Sequence, residues 1–188
     1  VKAFEYSDCW VDDARLVVLN ALDASEKGAV IHTQTACTSA RRENGFWTIE
    51  MMHAQSGIKE VVRARALVNA SGPWVNDIIG RVTGLNSQRS VRLVKGSHII
   101  CKKFWDGQHA YLIQNTDKRV IFVNPYDDVL ALIGTTDIPY DGRPEDVSAD
   151  EDEINYLINV VNRYFEKPLN RDDVIHSFSG VRPLYDDN

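Results

Sequence analysis

No apolar run in this chain reaches the roughly 18 residues that a membrane-spanning helix needs. Cysteine is scarce. Cys9, Cys37 and Cys101 are far apart, odd in number and form no Cys-x-x-Cys pair. That excludes a disulfide framework and fits reduced thiols in a cytoplasmic compartment. An excess of basic charge is missing too: 21 Lys and Arg stand against 27 Asp and Glu, a net charge of -6. A general nucleic-acid binder is thereby excluded, though not a local basic patch for a phosphate. His32, His53, His109 and His176 share no metal-ligand spacing, so no metal is expected. There is no secretory signal pattern, internal repeat or low-complexity segment. An initiating methionine is also lacking: the chain opens on Val1 and stops at Asn188 just after an arginine-bearing segment, as a piece of a longer protein would.

What is present belongs to a globular protein: 44% hydrophobic and 26% charged residues, in a chain large for one domain and small for two. Residues 12–27 read as a helix, with Ala14, Val17, Val18, Ala21 and Leu22 on one face, Asp12 or Asp13 as cap and Gly28 as stop. A short strand is expected over 29–33. The period then changes to two. Residues 35–42, 46–52 and 58–63 read as an antiparallel meander, turned at Glu43-Asn44-Gly45 and Gln55-Ser56-Gly57. The apolar run 65–70 predicts a strand buried on both faces. Gly72 and Pro73 then open a helix over 74–82, with Val75, Ile78, Ile79 and Val82 on one face.

Past Asn86, strands over 91–102, 110–113, 119–124 and 129–133 predict one mostly antiparallel sheet. A loop over 137–147 precedes a helix that Ser148 and Glu151 open as a capping box. Its buried stripe is Ile154, Leu157, Ile158, Val161 and Phe165, and Pro168 stops it; the last strand is 174–181. The fold class is therefore α/β (α+β), with a boundary near Ser87. Residues 1–86 read as part of a nucleotide-binding layer with a β-meander. Residues 87–188 read as a substrate-side antiparallel sheet covered by helices.

Three motifs carry chemistry. In Lys95-Gly96-Ser97-His98-Ile99 an ionisable ring sits within a strand. Imidazole has an ordinary pKa of about 6.5, which suits proton removal from an alcohol; a histidine satisfied inside a sheet is the alternative. Ser179-Gly180-Val181-Arg182-Pro183-Leu184 delivers a planar guanidinium suited to phosphate or alkoxide, or to a salt bridge with a nearby aspartate. In Asn69-Ala70-Ser71-Gly72 before a helix, small residues permit close backbone approach and free N–H groups favour a phosphate; an ordinary tight turn is the alternative. Lys95 adds positive potential near a substrate or is a solvated strand end. Thr135 and Thr136 bond near a cofactor ring or simply form a turn that Asp137 caps. Arg41 and Arg42 read as a solvated edge. Trp10, Trp47, Trp74 and Trp105 are scattered and form no base-stacking platform.

Leu67-Val68-Asn69-Ala70-Ser71-Gly72-Pro73-Trp74 resembles the second flavin-contacting motif of flavoproteins with two dinucleotide-binding domains. Phe4 to Leu16, Thr38 to Gly45, Arg92 to Ile99, Ile133-Gly134-Thr135-Thr136-Asp137, Glu153 to Leu157 and Ser179 to Leu184 resemble the aerobic, FAD-dependent glycerol-3-phosphate dehydrogenases over essentially the whole chain. That resemblance implies oxidation of sn-glycerol 3-phosphate to dihydroxyacetone phosphate, hydride passing to FAD and electrons onward to a quinone. It implies a parent protein that is cytoplasmic or peripheral at the inner membrane face. It makes His98 and Arg182 catalytic, Arg182 and Lys95 substrate-binding, and Ala70, Ser71, Gly72, Trp74, Thr135 and Thr136 cofactor-binding. The family's Gly-x-Gly-x-x-Gly loop for the FAD pyrophosphate does not occur here. The isolated piece is therefore expected to bind FAD weakly or not at all and to be inactive. Two other readings stand beside this one: a different FAD oxidoreductase or oxidase of the superfamily, and a non-catalytic binding module.

Overall fold

The computed structural model describes residues 3–86 and 90–186. The boundary expected at Ser87 lies outside them. The chain forms two compact units, Val1–Arg65 and Ala66–Asn188.

In the first unit, helix α1 (Asp13–Glu26) forms where the periodicity places it. Asp12 caps it by accepting the Arg15 N–H at 3.0 Å, and Gly28 leaves it at φ 95°. Its apolar side chains are not buried: Val17 is 68% and Leu22 54% exposed. Strands β1 (Thr35–Glu43), β2 (Phe46–His53) and β3 (Lys59–Ala64) form the expected antiparallel meander. Glu43 pairs with Phe46, so Asn44 and Gly45 alone make the turn, both with positive φ, as a two-residue hairpin of primed type requires. Ala40 and Ile49 are this unit's buried apolar residues. The strand expected over 29–33 does not form. An extended segment becomes a strand only with a ladder partner, and Val30 and Ile31 stand exposed without one.

The second unit begins with a similar correction. Residues 66–70 are irregular and Val68 is 83% exposed, so the apolar run marks no doubly buried strand. A helical stretch follows as expected: a 3-10 turn Gly72–Trp74, one α turn, α2 (Val75–Asp77), and a π turn Ile78–Val82. The sheet that follows is entirely antiparallel. Its strands are β4 (Ser90–Lys102), β5 (Tyr111–Gln114), β6 (Val120–Tyr126), β7 (Leu130–Gly134), β8 (Ile138–Pro139) and β9 (Val174–Asp186). β4 is its spine. β9 pairs along one edge of it, while β7 and β8 share the other.

Helix α3 (Glu151–Tyr164) covers one face of the sheet. Ile154, Leu157, Ile158, Val160 and Val161 pack onto Ile99, Cys101, Ile121, Val123, Ala131 and Ile133. Burial pushes the Cys101 thiol up to about 11, so at neutral pH it is an inert core side chain. The capping box of α3 is Asp150 with Glu153, two residues beyond the expected Ser148 and Glu151. Glu151 instead meets Arg171 on the surface, while Glu153 turns inward. Because side chains alternate along a strand, the opposite face carries Leu112, Val120, Phe122, Tyr126, Phe178 and Leu184, all exposed.

Candidate active site

One row across the open face of the sheet contains the expected histidine. Register aligns Leu112 with Phe122, Phe122 with Gly134, Gly134 with His98, and His98 with Phe178. The imidazole stacks on the Phe178 ring, 5.1 Å between centroids and 10° from parallel. Its other neighbour is Gly134, where an added Cβ would collide with the ring. His98 is half-buried, and its Nδ1 is buried with no hydrogen-bond partner among the described residues. Burial pulls the imidazole below its ordinary pKa, and the positive charge of Arg182 pulls it further the same way. The ring is therefore neutral at pH 7 and free to accept a proton.

Beside this row the floor is glycine. Gly96 pairs with Gly180. A Cβ at Gly96 would run into Thr135 Oγ1 and lie 3.4 Å from the Arg182 guanidinium, whereas one at Gly180 would meet nothing. Arg182 pairs with Val94 on this face. Its Nη2 donates to the Thr136 carbonyl at 3.2 Å and to Asp137 Oδ1 at 3.0 Å, so the expected alternative of an aspartate partner is realised. Both side chains of that pair are about half exposed, so it contributes little stability and leaves other guanidinium N–H groups for an anion. Thr135 Oγ1 donates to the Thr136 carbonyl at 3.0 Å. The result is a patch of the open face that brings together a neutral imidazole, an aromatic ring, a guanidinium and a hydroxyl.

Two expected site residues lie on the other face. Lys95 is three positions from His98, so alternation sends it under α3. There its Nζ meets Glu153 Oε2 at 2.7 Å and Asp150 Oδ2 at 3.1 Å. Burial pulls the ammonium down, but these two carboxylates outweigh it and the net shift is upward. Thr136 is fully buried. Its Oγ1 accepts the Ser97 N–H at 2.8 Å and donates to Glu153 Oε1 at 2.7 Å. Neither polar end reaches the open face.

Ala70, Ser71, Gly72 and Trp74 form a separate feature. The Asn69 side chain accepts from the Ser71 N–H and hydroxyl and donates to the Val75 carbonyl, which fixes the turn that Gly72 completes at φ 55°. Trp74 Nε1 donates to Glu145 Oε1 at 2.7 Å. Pro73 and Trp74 line a cleft of about 460 Å³ together with Val91 to Val94 and Tyr140.

Sequence reasoning missed Phe178, Gly134, Gly180 and Glu153. Phe178 and Gly134 matter through register, which no local pattern carries. Gly134→Ala is expected to drive the His98 ring off Phe178. The check is a crystal structure of the variant, in which the ring stacking is lost while α3 and the core keep their places.

The family described as FAD dependent oxidoreductase (DAO) matches residues 1–188. The chain is 64% identical over 186 residues to D-erythritol 1-phosphate dehydrogenase of Brucella abortus, covering 99% of this chain and 37% of that protein. It is 50% identical to the aerobic glycerol-3-phosphate dehydrogenase of Escherichia coli K12, again over 99% of this chain and 37% of the relative. Among solved structures, the glycerol-3-phosphate dehydrogenase of Bacillus halodurans complexed with FAD superposes with a TM-score of 0.82 at 26% identity, covering 93% of this chain and 36% of that one. The chain thus spans little more than a third of the length of these relatives.

Proposed function

We propose a function from one premise: the chain belongs to the FAD-dependent oxidoreductase family. A whole protein containing this chain oxidises the secondary hydroxyl of a phosphorylated polyol, sn-glycerol 3-phosphate to dihydroxyacetone phosphate. FAD, when bound, supplies the hydride acceptor. The electrons then pass to a quinone, from a protein seated peripherally at a membrane; among the described residues no helix is long and apolar enough to cross one. Residues 1–86 serve chiefly the flavin and residues 87–188 chiefly the substrate.

The observation that carries this reading is the pairing, on one open face, of a neutral imidazole with a guanidinium beside the open backbone of Gly180. The residues fit a flat group and a small anion. The buried Nδ1 of His98 needs a partner that the described residues do not provide, and at Gly180, where an added Cβ would meet nothing, a ring can approach the backbone. His98 takes the proton from the hydroxyl oxygen as the hydride leaves the carbon that bears it. Arg182 holds the negative charge that develops on oxygen, or the phosphate. Ala70, Ser71, Gly72 and Trp74, with Thr135 at the rim, hold the flavin. Lys95 and Thr136 make no direct contact with either ligand, because their polar ends are engaged by Glu153 beneath the sheet.

A second substrate is favoured by one observation, the 64% identity to a D-erythritol 1-phosphate dehydrogenase against 50–53% to glycerol-3-phosphate dehydrogenases. Erythritol 1-phosphate offers the same alcohol and phosphate chemistry on a chain one carbon longer. The test is the full-length flavoprotein, kept anaerobic and titrated with each compound while its visible absorbance is followed. Bleaching by glycerol 3-phosphate supports the first reading, and bleaching by D-erythritol 1-phosphate alone selects the second. A flavin that stays oxidised with both sinks the polyol-phosphate assignment.

A further inference from the structure

Glu153 is 2% exposed, lies on the face of the sheet away from His98 and Arg182, and has no part in the chemistry above. Both its oxygens are occupied. Oε1 accepts from the Ser97 hydroxyl at 2.8 Å and from the Thr136 hydroxyl at 2.7 Å. Oε2 accepts from the Lys95 ammonium at 2.7 Å and from the Asp150 N–H at 3.2 Å. Four donors converge on one carboxylate, and only an acceptor-only group satisfies them all. One of the four leads to the open face. The Thr136 side chain is pinned below by Glu153 and the Ser97 N–H, while its carbonyl accepts from Arg182 Nη2 and from the Thr135 hydroxyl.

We propose that Glu153 is the positioning residue for the anion-binding guanidinium. Through Thr136 it sets the carbonyl on which Arg182 rests, and so fixes where the guanidinium points across the open face. The inference rests on the reading of Arg182 as a substrate contact. Its consequence is specific: Glu153 affects ligand binding only through Arg182, so the two residues are energetically coupled although they lie on opposite faces of the sheet.

The experiment uses the full-length flavoprotein and reads the dissociation constant of dihydroxyacetone phosphate from the perturbation of the oxidised flavin spectrum. It compares wild type, Glu153→Gln, Arg182→Ala and the double variant. Glu153→Gln disturbs a buried charge, so Thr136→Val, which cuts the same link without changing charge, is measured alone and with Arg182→Ala. Each single change at 153 or 136 is expected to weaken binding about tenfold, within the range of coupling between residues of one network. Added to Arg182→Ala, either should weaken it less than twofold further. Equal losses with and without Arg182 would overturn the positioning role, as would no loss in Thr136→Val. Binding untouched by Arg182→Ala alone would instead bring down the reading of Arg182, and this inference with it. Should Glu153→Gln not fold, the Thr136 pair decides.

Discussion

His98→Ala in the full-length protein is expected to slow substrate-driven flavin reduction by roughly 10²–10⁴-fold, the usual contribution of a positioned general base. Stopped-flow absorbance measures it directly. The loss should fall on the limiting rate more than on the substrate concentration for half-saturation, because the imidazole acts on a proton in flight. The pH dependence makes the test sharper. Burial first, and Arg182 second, hold the His98 pKa below the ordinary histidine value. The reduction rate should therefore stay level at pH 7 and fall only on the acid side of about 6.5. Arg182→Ala removes one of the two depressing influences, so in that variant the fall should begin at higher pH. The same shift has a stability counterpart. As pH drops through the unfolded histidine value, the unfolded chain takes up a proton that native His98 refuses, so acid destabilises the fold. A reduction rate unchanged by His98→Ala would remove the base from the mechanism altogether.

The largest expected effect on stability belongs to Lys95→Met. The lysine side chain is 11% exposed and Glu153 2%. Removing the ammonium leaves the buried Glu153 carboxylate without its counter-charge, held only by the Ser97 and Thr136 hydroxyls and the Asp150 N–H, which costs about 3 kcal/mol where one partner of a buried pair is deleted. Asp150 is more exposed and tolerates the loss better. The folded lysine pKa is raised, so the pair's contribution is fully present below the unfolded lysine value and is lost only as pH rises through the folded one. Urea unfolding at pH 7 therefore reads the whole effect. A change under 1 kcal/mol would mean that water reaches the pair and that Lys95 is available for another task.

This division of labour on β4 explains what the sequence could and could not reveal. The turn at Asn44-Gly45 was legible because two adjacent positive φ values select those residues. The helices and the long β4 were legible from periodicity. The apolar runs at 29–33 and 65–70 misled, because apolar character signals burial only where a partner exists, and partners are non-local. Likewise His98 and Arg182 stood out by residue type. The ion pair of Lys95 with Glu153 bridges 58 positions, and the contact of His98 with Phe178 bridges 80. Only the register of β4 with β9, and the packing of α3, bring them together. The capping box moved from Ser148 to Asp150 for the same reason: Glu153 was drawn inward by donors far off in sequence.

The odd and even positions of β4 between 94 and 99 are two interleaved messages in one stretch of text. Lys95, Ser97 and Ile99 speak to α3; Gly96 and His98 speak to the open face. A one-codon insertion ahead of this stretch would exchange the audiences, sending the imidazole into the core and the ammonium onto the open face. Inserting two codons restores the parity. The reading frame that matters here is thus two residues long, and it constrains how this strand can lengthen or shorten during evolution more tightly than any single side chain in it does.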